Sequence, residues 1–159
     1  MCSSDLMVTV SAGAKSFLDL PRTLEMLETL GVPVIGHQCS DFPAFTVVSS
    51  GLSLAHRIDD LDALARVASV RLEIGGGLLV CTPVPEAEAI DANIMNAAIA
   101  RALSEAERKG VSGPAVTPIV LAEIAQETSG KAVRANLALA ENNARLAAEI
   151  ATRITASLS

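Results

Sequence analysis

"VTVSAGAKSFLDLPRTLEMLETLGVPVIG", residues 8–36, is the stretch on which the fold turns. Its β-branched start at 8–10 reads as a short buried strand. Four small residues separate that run from Lys15. Asp19 then stands where a helix N-cap belongs, with Pro21 in the first turn. Leu20, Leu24, Leu27 and Leu30 recur at helical spacing, and Gly31 stops the helix. Residues 32–36, VPVIG, form a second continuous apolar run. Strand, helix and strand, with strands apolar throughout rather than alternating, make the repeating unit of a parallel sheet covered by helices.

The pattern extends outward from this unit. Residues 37–45 are rich in turn formers, and 46–58 read as extended but irregular. Asp59 is placed to cap a helix through Leu61, Leu64, Ala65, Ala68 and Leu72, which Gly75–Gly77 end. Residues 78–82, LLVCT, are a third buried strand. A helix is predicted over 91–109, stopped by Gly110. Another covers 117–128, with Thr117 as cap and Pro118 in its first position. A long Ala-rich helix follows over 131–158. No linker, repeat or low-complexity segment divides the chain, so residues 1–159 are expected to form one α/β domain. Its layers should be α/β/α around a mostly parallel sheet. Three short strands are few for a sheet that needs cover on both faces and protected edges, so it reads as part of a larger one.

Composition narrows the function. Half of the 159 residues are apolar, with no Trp or Tyr and three Phe, and mean hydropathy is +0.44. That excludes disorder and points to small aliphatic side chains packed between helices and sheet. A formal net charge of −6 and scarce aromatics exclude nucleic-acid binding, which needs clustered cations and stacking platforms. Cys2, Cys39 and Cys81 are odd in number and widely spaced, as reduced thiols of a cytoplasmic protein would be. No apolar run approaches the ~18 residues of a membrane span, and residues 1–7 lack the features of a signal peptide.

Ligands on parallel sheets bind beyond the carboxyl ends of the strands, and Lys15, His37 and Thr82 each follow such an end. GAKS is not a P-loop, because Ala14 intervenes where glycine must precede the lysine. A lysine at a strand mouth meets partial desolvation and helix N-terminal N–H groups. Both favour the neutral amine that Schiff-base chemistry uses. On local sequence alone, a lysine snorkelling to water is the commoner arrangement. His37 and His56 have no partner at metal-ligand spacing and read as loop or core residues. Ser3, Ser4 and Asp5 suit a polar ligand or, equally, a frayed terminus. Gly75–Gly77 suit a phosphate cradle, although a helix-to-strand turn accounts for the same glycines. Asn136, Asn142 and Asn143 interrupt the Ala-rich helix, and Asn136 faces either solvent or a ligand.

Several blocks carry a wider pattern: residues 10–38, DFPAF at 41–45, GGGLLVCTPVPE at 75–86, residues 90–118, and NLALAENNARLAAEIA at 136–151. In this order they resemble the pseudouridine-5′-phosphate glycosidases, also called the indigoidine synthase A-like family. The resemblance implies an α/β/α fold, a homotrimer, and reversible cleavage of pseudouridine 5′-phosphate into uracil and ribose 5-phosphate. It implies that Lys15, in AGAK, is the nucleophile. A C-glycosidic bond offers no heteroatom for an acid to protonate, so the two-carboxylate route of ordinary glycosidases is closed. An amine bonded to C1′ supplies the electron push instead, its lone pair becoming a C1′ iminium as uracil leaves. The resemblance further assigns Ser3, Ser4, Asp5 and Asn136 to substrate binding.

Departures from the family pattern carry expectations too. The aspartate that holds Mn²⁺ in the family is replaced by Met1, whose thioether suits a hard cation poorly. The segment between Asp5 and Lys15 is shorter than the family's. The family's N-terminal half, with its glutamate proton donor and a phosphate-binding lysine, has no counterpart. The chain therefore resembles the C-terminal half of such an enzyme and is expected to have impaired activity. The alternatives are a non-catalytic sugar-phosphate-binding subunit that needs a separate N-terminal half, and a Schiff-base lyase acting on another sugar phosphate.

Overall fold

The structure, a computed structural model, describes residues 7–157. Four parallel strands, β1 (Val8–Ser11), β2 (Val34–Gly36), β3 (His56–Arg57) and β4 (Leu78–Cys81), lie in the order β1-β4-β2-β3. Val8 stands opposite Leu78 and Ser11 opposite Cys81, while Val34 stands opposite Leu79 on the other side of β4. The three expected strands are present. The fourth, β3, arises inside the irregular 46–58 stretch, where Ile35 pairs with His56 and Gly36 with Arg57.

Five α-helices follow the apolar periodicity: α1 (Leu20–Thr29), α2 (Leu61–Ile74), α3 (Ala92–Arg108), α4 (Val116–Glu127) and α5 (Lys131–Ser157). Asp19 caps α1 by accepting from the Arg22 N–H, and Asp91 caps α3 by accepting from Asn93 and Ile94. Two caps differ from the sequence expectation. Asp60, not Asp59, caps α2 by accepting from the Ala63 N–H at 2.7 Å. Asp59 is taken by the Arg57 guanidinium and the Gln38 N–H. Helix α4 begins one residue before Thr117, behind a 3₁₀ turn at Gly113–Ala115, and has no side-chain cap. Among the described residues no helix is long and apolar enough to cross a membrane.

The two faces of the sheet are covered unequally. Side chains alternate along each strand. Ile35, Leu78 and Val80, at most 3% exposed, pack with Leu64 and Ala68 of α2 and Leu146 and Ile150 of α5. The opposite face carries α1, whose only buried residue is Leu20. There Val34 and Leu79 are half-buried and Thr9 is exposed. The larger core cluster lies beyond the strand ends, where Phe42, Ala44 and Val84 meet Met95, Ala98 and Ala102 of α3, Val120 of α4 and Leu139 of α5.

Candidate active site

Lys15 lies in the connection from β1 to α1, and two loops hold it there. Ala12 is buried, and its carbonyl accepts from the Phe45 N–H at 2.9 Å. Gly13 follows at φ +74° and bridges Ala44; a Cβ here would sit 1.8 Å from the Pro43 carbonyl oxygen. Only glycine combines that backbone conformation with that approach. The Ser16 hydroxyl donates to the Ala44 carbonyl at 2.8 Å, and the Leu18 N–H closes a turn on the Lys15 carbonyl. AGAKS and DFPAF are therefore stapled together, and Lys15 is fixed at the seam.

The half-buried Lys15 opens into a cavity of about 350 Å³. Its Nζ lies 5.9 Å from the centroid of the Phe17 ring, within reach of a cation–π contact. Phe45 and Thr46, Met95 of α3, Ile124 of α4 and Asn136 of α5 line the cavity with Lys15. Among the described residues no carboxylate pairs with Lys15, and none lines the cavity. The arrangement combines one amine, one amide and an apolar wall, with room for a small polar ligand.

Of the substrate-binding residues read from the sequence, Lys15 and Asn136 share this cavity. Ser3, Ser4 and Asp5 lie outside the described residues, as do Met1 and Cys2. Among the described residues no three His, Cys, Asp or Glu side chains converge as a metal site would require. Gly75–Gly77 form a turn: Gly75 ends α2, and the Arg71 guanidinium donates to the Gly77 and Gly31 carbonyls. His37 is a buried residue whose Nδ1 donates to the Ile58 carbonyl at 2.9 Å, and His56 is exposed. Neither Cys39 nor Cys81 is a ready nucleophile. Burial pushes the Cys81 thiol up to about 12 and raises that of Cys39, so both stay protonated at neutral pH.

A second cavity of about 320 Å³ opens beyond β2 and β4, where the sequence put His37 and Thr82 at strand ends, but its α5 side was not foreseen. It groups His37 and Thr82 with Asn142, Arg145 and Glu149 of α5. Asn142 donates to the Thr82 hydroxyl and the Pro83 carbonyl, both at 3.3 Å, and Arg145 bridges Asn142 to Glu149. The signal that could have found it is the i, i+3, i+7 spacing of Asn142, Arg145 and Glu149, which places them on one helix face.

Comparison with known proteins fits this geometry. Residues 2–153 match the family described as indigoidine synthase A like protein. The chain is 50% identical to a pseudouridine-5′-phosphate glycosidase of Chloroflexus aurantiacus over 93% of its own length and 50% of the relative's. It is 49% identical to one of Sorangium cellulosum over 96% and 49% of the two lengths. Among solved structures, the prealnumycin C-glycosynthase AlnA in complex with ribulose 5-phosphate superposes with a TM-score of 0.89 at 36% identity. That match covers 96% of this chain and 51% of AlnA. An indigoidine synthase A-like protein of Thermotoga maritima gives 0.78 at 38%, over 94% and 50%. The chain thus spans about half the length of the relatives it matches.

Proposed function

Because this chain belongs to the indigoidine synthase A-like family, we propose that it carries the Schiff-base half of a pseudouridine-5′-phosphate glycosidase site, with Lys15 as nucleophile. One observation carries the reading: Lys15 and Asn136, from opposite ends of the described chain, line one cavity. That cavity belongs to a chain about 50% identical to enzymes of that name. In the reaction the Lys15 amine bonds to C1′ as O4′ leaves, opening the ribose. The nitrogen lone pair then forms the C1′ iminium while the C1′–C5 bonding pair departs to uracil C5, which takes up a proton. Water adds to the iminium and releases ribose 5-phosphate, restoring the amine. Phe17, Phe45 and Met95 limit water around the iminium. In this reading Asn136, an exposed residue lining the cavity, holds the sugar phosphate.

The described cavity offers no acid for C5. Uracil departure from the isolated chain is therefore expected to be slower by the ~10²–10⁴-fold that a positioned acid supplies. The remaining acid and phosphate-binding groups would come from the half that the relatives carry and this chain does not match. The reaction takes place among small molecules, with pseudouridine 5′-phosphate, uracil and ribose 5-phosphate as partners, in the cytoplasm and in a homotrimer as the family resemblance implies.

Borohydride reduction in the presence of ribose 5-phosphate tests the lysine directly. The expected result is a reduced pentose phosphate adduct on Lys15 that disappears in Lys15→Met. Adducts confined to Lys109 or Lys131 would sink the assignment. A second reading, C-glycoside chemistry on another pentose phosphate, is favoured by the likeness to AlnA with its ribulose 5-phosphate. Trapping by ribulose 5-phosphate but not ribose 5-phosphate would select it. The non-catalytic reading, a subunit that only binds sugar phosphate, predicts binding with no trapped adduct at all.

A further inference from the structure

We infer that Thr46 determines specificity in the Lys15 cavity: its side-chain hydroxyl hydrogen-bonds a hydroxyl group on the carbon chain of the ligand. The inference rests on the pentose phosphate reading above and adds which wall recognises the sugar.

The backbone that presents Thr46 is a tight turn. Ala44 and Val47 exchange both backbone hydrogen bonds, at 3.1 and 3.2 Å, which leaves Phe45 and Thr46 at the tip. Of these two only Phe45 has a positive φ, +64°. That is the pattern of a II′ turn, whose first tip position normally holds glycine. A bulky side chain in this conformation is strained, and such strain persists only where the surroundings over-determine it. Here they do. The Phe45 N–H donates to the Ala12 carbonyl at 2.9 Å, and the Thr46 carbonyl accepts from the Ile90 N–H at 2.8 Å. Two separate segments thus clamp the tip, and both of its residues line the cavity of Lys15. Backbone strain of this kind gathers at ligand clamps and active sites.

The Thr46 hydroxyl is the unspent polar group of this wall. Thr46 is 3% exposed, and among the described residues nothing hydrogen-bonds its side chain. Nor is the hydroxyl sealed: among the described residues the enclosed side-chain polar atom without a partner is Asn143 Oδ1. The Ser16 hydroxyl, also at this cavity, is already taken by the Ala44 carbonyl. Leaving a buried hydroxyl unpaired is destabilising, so one kept open to a cavity calls for a partner inside it. A neutral hydroxyl, able to donate once and accept twice, matches another hydroxyl. It matches a phosphate dianion poorly, because that needs several donors or a cation, and the Phe45, Met95 and Ile124 side chains that share the lining are apolar.

The test uses ribitol 5-phosphate, which has the hydroxyls and the phosphate of the opened sugar but no carbonyl to condense with Lys15. Its affinity for the parent, Thr46→Val and Thr46→Ser is measured by titration calorimetry, beside that of pentyl phosphate, which has no hydroxyl on its chain. Thr46→Val is expected to weaken ribitol 5-phosphate at least about fivefold, and Thr46→Ser to restore it to within about twofold. Pentyl phosphate should bind the parent and Thr46→Val alike. Unliganded Thr46→Val should melt no lower than the parent, because it removes a hydroxyl that has no partner in the fold. The inference is overturned if the parent does not bind ribitol 5-phosphate, or if Thr46→Val binds it as the parent does. It is equally overturned if both ligands weaken together, or if Thr46→Val melts lower, since the hydroxyl would then serve the phosphate or the fold. Borohydride trapping with ribose 5-phosphate reads the lysine separately. An adduct on Lys15 without a Thr46 effect rejects only Thr46, and a Thr46 effect without an adduct rejects only the lysine assignment.

Discussion

Two cavities of similar volume open beyond the carboxyl ends of the sheet, and they differ in what their polar groups already hold. In the cavity beyond β2 and β4, Thr82, Asn142, Arg145 and Glu149 form a continuous chain of hydrogen bonds. In the cavity beyond β1, Lys15 has the Phe17 ring beside it and, among the described residues, no carboxylate partner. A satisfied network fixes a shape. Among the described residues the Lys15 amine belongs to no such network, and unpaired groups in clefts are where chemistry concentrates. The comparison explains why volume alone does not identify the site.

The largest effect should come from removing what holds the lysine side in place. Phe42 is 1% exposed and anchors DFPAF, with its carbonyl accepting from the Ser50 N–H and hydroxyl. Phe42→Ala is expected to cost about 4 kcal/mol in a urea melt, as buried Phe truncations do. Gly13→Ala comes next, at about 3 kcal/mol, because the new methyl meets the Pro43 carbonyl oxygen in a backbone conformation that disfavours it. A loss of under about 1 kcal/mol for Gly13→Ala would mean that the two loops are not stapled as described, since surface changes fall in that range.

The same contrast shows which features a sequence can display. Helix limits were legible because their determinants are local: Asp19 and Asp91 cap, and Gly31, Gly75 and Gly110 sit at positive φ just past the helices they end. Strand β3 was not, because His56 and Arg57 are polar and exposed and become a strand only by lying beside Ile35 and Gly36. Asp59 is the cap expected for α2, but Arg57 engages it and leaves the adjacent Asp60 for the helix. The candidate site divides in the same way. Lys15 was visible as a lysine at a strand mouth, and Asn136 as a polar residue in an Ala-rich helix. That they share a cavity depends on Gly13 meeting Pro43 and on α3, α4 and α5 packing over the strand ends, and no local pattern carries that.

Two smaller perturbations sharpen the contrast from the other cavity. Asn142→Ala removes the donor to the buried Thr82 hydroxyl and is expected to cost about 1 kcal/mol. It should leave the yield of the borohydride adduct on Lys15 unchanged. A fall in that yield would show that the two cavities act together. The smallest effect should come from Asp59, an exposed carboxylate held below the usual range by hydrogen bonds from Arg57, and helped by the Gln38 N–H. A carboxyl with a lowered folded-state pKa adds stability above its unfolded value and loses it as pH falls through the folded one. The difference in thermal midpoint between the parent and Asp59→Asn should therefore be full at neutral pH and vanish in strong acid. It should also shrink with added salt, because exposed pairs are screened. A difference that grew on acidification would mean that Asp59 is opposed rather than supported by its neighbours, and that the loop leading to β3 is held by something other than the Arg57 clip.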